Sequence, residues 1–340
     1  QAVEALSGLT SQQLVDRDWL ARWSRQLAQD QADFQEFCKT WLRTFGTLFN
    51  QLKEGIFGTE RMTLREPVGA ATGRLSIQYR MHPTIGTLIS KAFYPEFGGI
   101  DNGTAGADGK PLPRILHTID SPFKLLGKAI LWIDTPWCQQ DPRAEELGPK
   151  QRRPRFENPR EADLVARFLD VIDRTRGEKG DVAVLAPYTA QVRLLNRKLE
   201  GVAAASGLRF RQSIGRQPNE SADKRWAHTV DSFQGNEADI VIVSMVRNNT
   251  ELPGQGLGFM ADDASRFNVL LSRAQKLLVI VGSWDFFAYQ LANVPRDNRF
   301  HELWAMRTAI DEIALATSEG RAARVSESEL ARLLGETNVN

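Results

Sequence analysis

A chain of 340 residues that is 42% hydrophobic and 25% charged has the composition of a soluble globular protein, with room for one large or two ordinary domains. Its 43 Lys and Arg nearly balance 42 Asp and Glu, leaving a formal net charge of +1, so a nucleic-acid surface can arise only from local clustering. Cys38 and Cys138 lie far apart without a second pair or histidine spacing, which argues against a zinc site or disulfide and suits a reducing compartment.

No apolar run reaches the ~20 residues needed to cross a bilayer, and no basic-then-apolar leader opens the chain. A cytoplasmic protein is expected, or a nuclear one if eukaryotic, with no membrane partner. Because Gln1 rather than Met comes first, the chain reads as a fragment, and motifs missing from it are expected upstream.

In chain order, Leu14, Trp19, Trp23, Leu27, Phe34, Phe37, Trp41, Phe45, Leu48 and Leu52 recur mostly at spacings of three and four, the pattern of amphipathic helix. Thr10 with Gln13 reads as its capping box. The Gly-, Pro- and Asp-rich run 101–113 reads as a surface loop. It only superficially resembles a phosphate-binding loop: counted from Gly103 the second Gly position holds Asp108, and counted on Gly109-Lys110 the Ser or Thr that would bind magnesium is replaced by Pro111.

From residue 129 the pattern changes. The continuous apolar runs 129–133, 182–186, 240–246 and 277–281 read as strands buried on both faces of a parallel sheet, and 161–175 and 190–200 read as intervening helices. That alternation predicts a doubly wound α/β fold, in which sites gather at the carboxyl ends of strands. The Pro-rich run 135–160, locally basic at 150–155, suits either a phosphate-tracking loop or a solvated one.

Four segments stand in one order: Gln78-Tyr79-Arg80-Met81-His82-Pro83, Ala186-Pro187-Tyr188 with Gln191, Thr229 to Glu237 (TVDSFQGNE), and Arg266 to Ala274 (RFNVLLSRA). Together they closely resemble the C-terminal motor half of superfamily 1 helicases of the Upf-like branch. Softer matches are Asn158 with Glu161-Ala162, and Gly258-Phe259-Met260 with Asp262. The resemblance covers roughly 74–283. It implies a RecA-like domain over 74–290, with a helical region over 1–73 inserted in or left from the first motor domain, and a helical tail over 291–340.

In that family ATP binds between two RecA-like domains. The resemblance implies ATP with Mg2+, the magnesium ligands coming from a first motor domain that this chain lacks. Arg80 and Arg273 would stabilise charge on the γ-phosphoryl oxygens, where an arginine finger is worth ~10³ to 10⁵ in rate, and the guanidinium fork matches phosphate bidentately as Lys does not. Tyr79 would stack beside the adenine, Glu237 would accept from the ribose hydroxyls, and Gly235 would admit close backbone approach. Tyr188, Thr189, Thr229 and Ser232 would contact a single strand of DNA or RNA through phosphates, on the side of the sheet away from ATP. The alternative for the hydroxyls is capping or turn formation.

His82, followed by Pro83, suits a turn or packing role, and His117, His228 and His301 stand alone in the sequence. No Walker A sequence and no acidic pair followed by Gln precedes the first motif, so this fragment alone is expected to be inactive within an ATP-dependent helicase. A non-catalytic binding or scaffold module derived from a helicase is the competing reading, against which Arg80, Glu237 and Arg273 speak. A fused nuclease finds no acidic and Lys cluster in the tail, where Ser326 with Glu329 reads as a helix cap.

Overall fold

The computed structural model describes residues 76–95, 98–120, 123–148, 156–176, 180–206, 211–212, 225–261, 264–294 and 302–333. The amphipathic stretch 10–52, its capping box, Cys38, His301, Asp262 and the basic run 150–155 lie outside them. Two compact units divide the chain, Gln1–Arg74 and Leu75–Asn340, and the described residues belong to the second.

Short strands β1 (Ile77–Gln78) and β2 (Asp101–Asn102) pair in parallel, with helix α1 (Pro83–Phe93) between them. The main sheet holds β3 (Ile130–Asp134), β4 (Asp181–Ala186), β5 (Arg211–Gln212), β6 (Ala227–Thr229), β7 (Ala238–Ser244), β8 (Ala274–Gly282) and β9 (Ala322–Ser326). The spatial order is β5-β4-β7-β8-β3-β9, with β6 beside β4, and all the pairs are parallel. Helices α2 (Pro159–Arg176), α3 (Thr189–Ser206), α4 (Ala264–Leu271), α5 (Trp284–Gln290), α6 (Glu302–Ser318) and α7 (Glu327–Leu333) cover it.

Alternate residues of each central strand serve opposite cores. Leu278 and Ile280 of β8 join Val241 and Val243 of β7 in the layer under α1, α4, α5 and α6, while Leu277, Val279 and Val281 join Ile240 and Ile242 under α2, α3 and α7. With both faces buried, the strands read as unbroken apolar runs. The fold is an α/β parallel sheet flanked by helices, RecA-like, as expected.

The run 101–113 is largely a surface loop, as expected, tied down where β2 pairs with β1 and where Ala105 bridges Pro111. One local expectation changes. The tail is not wholly helical, because Ala322–Ser326 forms an edge strand in register with β3, from Ile130↔Ala322 to Asp134↔Ser326. Its sequence, AARVS, is too short and too weakly apolar to announce a strand, and pairing with β3 decides the matter. The cap beside it is present, with the Glu329 amide donating to Ser326 Oγ at 3.2 Å.

Candidate functional site

The segment bearing Tyr79 and Arg80 is shaped by the amide of Gln78. Its Oε1 accepts from the backbone N–H groups of Arg80 (2.9 Å) and Met81 (2.7 Å), while its Nε2 donates to Met81 O (3.0 Å) and Asn102 Oδ1 (2.7 Å). His82 then caps α1, its Nδ1 accepting from Thr84 N at 3.2 Å, with Pro83 opening the helix. His82 therefore has the local role its position suggested. It is not isolated in space: burial, chiefly, with positive potential from His117 and Arg321, pushes its pKa down to about 4.

The His82 amide donates to Gln275 O at 2.7 Å, which fastens this segment to the amino end of β8. Arg273 immediately precedes β8, and Glu237 immediately precedes β7. A cluster results. Arg80 Nε donates to Glu237 Oε2 at 2.6 Å, Gln275 Nε2 donates to Glu237 Oε1 at 2.7 Å, and Arg273 Nε donates to Val269 O at 3.3 Å. Both guanidinium groups are anchored through Nε in these contacts, leaving the Nη ends for other acceptors. Burial, chiefly, and then the charge of Arg80 lower the Arg273 pKa.

Tyr79 flanks the cluster with 61% of its surface exposed, its ring lying on Gly103 and its carbonyl accepting from Arg114 Nη2 at 3.2 Å. Gly235 has φ +85°, the left-handed region, so its own backbone conformation accounts for a glycine there. Arg80, Glu237 and Arg273 are thus brought together by loops entering the strands. The expectation that sites gather at the carboxyl ends of strands does not hold for this cluster.

The carboxyl ends carry the other residues. Tyr188 and Thr189 follow β4 and begin α3, where Thr189 is exposed, and Thr229 ends β6 level with Ala186. Thr229 and Ser232 bond to one another: their hydroxyl oxygens are 3.0 Å apart, and the Ser232 amide donates to Thr229 Oγ1 at 3.3 Å. The turn-forming alternative describes their contacts within the chain.

Beneath Tyr188 lies a buried polar network that the sequence marked only in part. Ser244 Oγ and the Val246 amide donate to Glu161 Oε2 at 2.6 and 2.8 Å, and Gln191 Nε2 donates to Ser244 Oγ at 2.9 Å and to Asn158 O at 3.0 Å. Burial pushes the Glu161 carboxyl up to about 8. Val246 has φ +72°, costly for a β-branched residue, and the turn sends Arg247 inward. Arg247 Nε stands 3.1 Å from Glu146 Oε1 as an ion pair outside hydrogen-bond alignment. Its guanidinium lies 4.1 Å from the Phe156 ring centroid and its Nη1 3.5 Å from Tyr188 Oη.

Sequence reasoning assigned no role to Gln275, Arg247 or Phe156. An Arg directly after the strand run was the available signal for Arg247, since charge rarely follows an apolar strand into a buried turn. Among the described residues no cluster of His, Cys, Asp and Glu is arranged to hold a metal ion, and no helix is long and apolar enough to cross a membrane. Cys138 is a buried free thiol whose pKa burial, chiefly, raises to about 11.

A family model described as "AAA domain" matches residues 59–285. Among curated proteins, the DNA-binding protein SMUBP-2 of Rattus norvegicus is 33% identical over 219 residues, covering 64% of this chain and 19% of its own length. The regulator of nonsense transcripts 1 homolog of Neurospora crassa is 28% identical over 231 residues, 68% of this chain and 17% of its own. The ATP-dependent helicase upf1 of Schizosaccharomyces pombe is 26% identical over 216 residues, 64% of this chain and 20% of its own. The chain thus spans no more than about a fifth of the length of these relatives.

Proposed function

The chain belongs to the AAA domain family and carries the region of a Upf-like superfamily 1 helicase, and from that premise we propose that it is the second motor half of an ATP-dependent helicase or translocase. The carrying observation is the convergence of Arg80, Arg273, Glu237 and Gln275 at the amino ends of β7 and β8.

Two adjacent guanidinium groups suit one ligand class above others, a polyphosphate. Glu237 and the Val269 carbonyl hold them by Nε, so the forked Nη donors aim at anionic oxygens already oriented, the preorganisation that makes an electrostatic contribution effective. Glu237, also held by Gln275, is placed to accept from ribose hydroxyls, and the exposed Tyr79 ring to lie beside the adenine. Mg2+ would bring charge neutralisation at the phosphates, with its ligands supplied by a first RecA-like domain facing this cluster. In this reading residues 1–73 are a separate helical region, and the RecA-like domain that begins at 74 runs past 290 to α7, because α6, β9 and α7 build its sheet and cores.

A single strand of DNA or RNA is assigned to the carboxyl ends of the strands, at Tyr188, Thr189, Thr229 and Ser232. The first turn of α3 points its amide N–H groups there, a favourable setting for phosphate. Closure of the two motor domains on ATP and their release on hydrolysis would then step the pair along the strand.

The test is ATP hydrolysis by the full-length parent protein with and without single strands, for wild type and Arg273→Ala. Strand-stimulated turnover that falls by about a thousandfold in the variant is expected. Wild-type turnover that neither strand stimulates, or an Arg273→Ala protein as fast as wild type, refutes the motor reading.

A further inference from the structure

At the carboxyl ends of β4 and β7, two half-buried aromatic rings meet with centroids 5.2 Å apart and planes inclined at 57°: Phe156, from the segment leading into α2, and Tyr188, from the turn into α3. Both rings pack against the core under α2 and α3 without being fully buried in it, so each keeps part of its surface open.

What fixes the pair is polar and costly. Arg247 is 3% exposed, with its guanidinium under the Phe156 ring and its Nη1 beside the Tyr188 hydroxyl. Gly258 backs the same spot, where an added Cβ would come within 2.6 Å of Tyr188 Oη and 2.5 Å of Arg247 Nη1. Glu146 balances the Arg247 charge and accepts from the Asn248 amide and from Asn249 Nδ2 at 3.0 Å. The left-handed Val246, held by Glu161, turns Arg247 into this place. A buried ion pair is weak grounds for stability, since well-packed apolar residues commonly do as well. Here it fixes the orientation of two rings instead.

We propose that Phe156 and Tyr188 form a stacking platform for unpaired bases of the strand, with Arg247 as its positioning residue. Phe156 is the new binding residue. Every base has a π-face, so such a platform grips a strand without reading its sequence, and it complements hydroxyl and amide contacts that touch only the sugar-phosphate chain. A guanidinium under the Phe156 ring fixes it by cation–π attraction, with the Tyr188 ring tilted beside it.

The inference rests on the strand-binding reading, and the experiment separates the two. The parent protein is titrated with oligothymidylate, oligouridylate and an abasic strand of equal length, as wild type, Phe156→Ala and Phe156→Trp. Phe156→Ala is expected to bind oligothymidylate about tenfold more weakly and the abasic strand within about twofold of wild type, with Phe156→Trp near wild type, because stacking on one base is worth about that much. Equal losses on both strands, or no loss on either, overturn the platform while leaving strand binding intact. A wild-type protein that binds no strand sinks the strand-binding reading and the platform with it.

Arg247→Met tests positioning. Its effect on oligothymidylate binding is expected to be less than additive with that of Phe156→Ala, since only Tyr188 is then left for it to position, whereas a purely structural role gives additive losses. If Arg247→Met does not fold, Ser244→Ala, which removes one donor to Glu161, carries the same expectation.

Discussion

His82 and Glu161 are buried titratable groups with opposite consequences for pH. His82 is held neutral, its folded pKa of about 4 lying below the ordinary 6.5, so the unfolded chain takes the proton first. Its contribution is whole above the unfolded value and is lost as pH falls through 6.5 towards 4, ~3 kcal/mol in all. Glu161, raised from 4.5 to about 8, keeps its proton when folded, so its contribution is whole at low pH and is lost as pH rises through that window. Urea unfolding tests both. His82→Asn, which keeps a capping acceptor for Thr84, is expected to gain on wild type as pH falls from about 6.5 to about 4, and Glu161→Gln to gain on it from about pH 5 to about pH 8. Gains that do not change with pH would show that neither group is perturbed. Sequence alone made Arg80, Glu237 and Arg273 visible, because their motifs are contiguous strings. Arg247 under Phe156 depends on a left-handed turn at Val246, and no local propensity announces that conformation at a β-branched residue.

Among the elements, the central strands were legible because burial on both faces leaves an unbroken apolar run. β9 was not, since its five residues become a strand only through β3. It nevertheless anchors a corner: Arg324 Nε donates to Asp134 Oδ2 at 3.0 Å, Arg160 Nε donates to Glu327 Oε2 at 2.7 Å, and Val325 is buried beside Leu330. Removing residues after Gly320 uncovers the backbone edge of β3, an open template for pairing with other chains. The shortened protein is expected to aggregate, measured by light scattering and size-exclusion chromatography. A soluble monomer with an unchanged melting temperature would make β9 dispensable.

For the whole molecule, near-balanced charge constrains how a strand is held. A protein that neutralises phosphates with many Lys and Arg shows a steep salt dependence, ~0.9 per phosphate contact in the logarithmic slope. With hydroxyls, helix amides and aromatic rings at the carboxyl ends of β4 and β6, the slope for this chain is expected to be shallow, of magnitude below about 3. Anisotropy titrations of oligothymidylate across salt concentrations measure it. A steep slope would move strand binding to a basic surface elsewhere.

The register of β9 on β3 also bears on how the protein is made. Asp134 and Arg324 meet across 190 residues of chain, so on a ribosome the flank of β3 stays uncovered while α2, α3 and the next five strands of the sheet emerge. Synthesis and closure are therefore out of step: the domain's centre is complete before its border, and the newborn chain carries an open strand edge on β3 until β9 arrives.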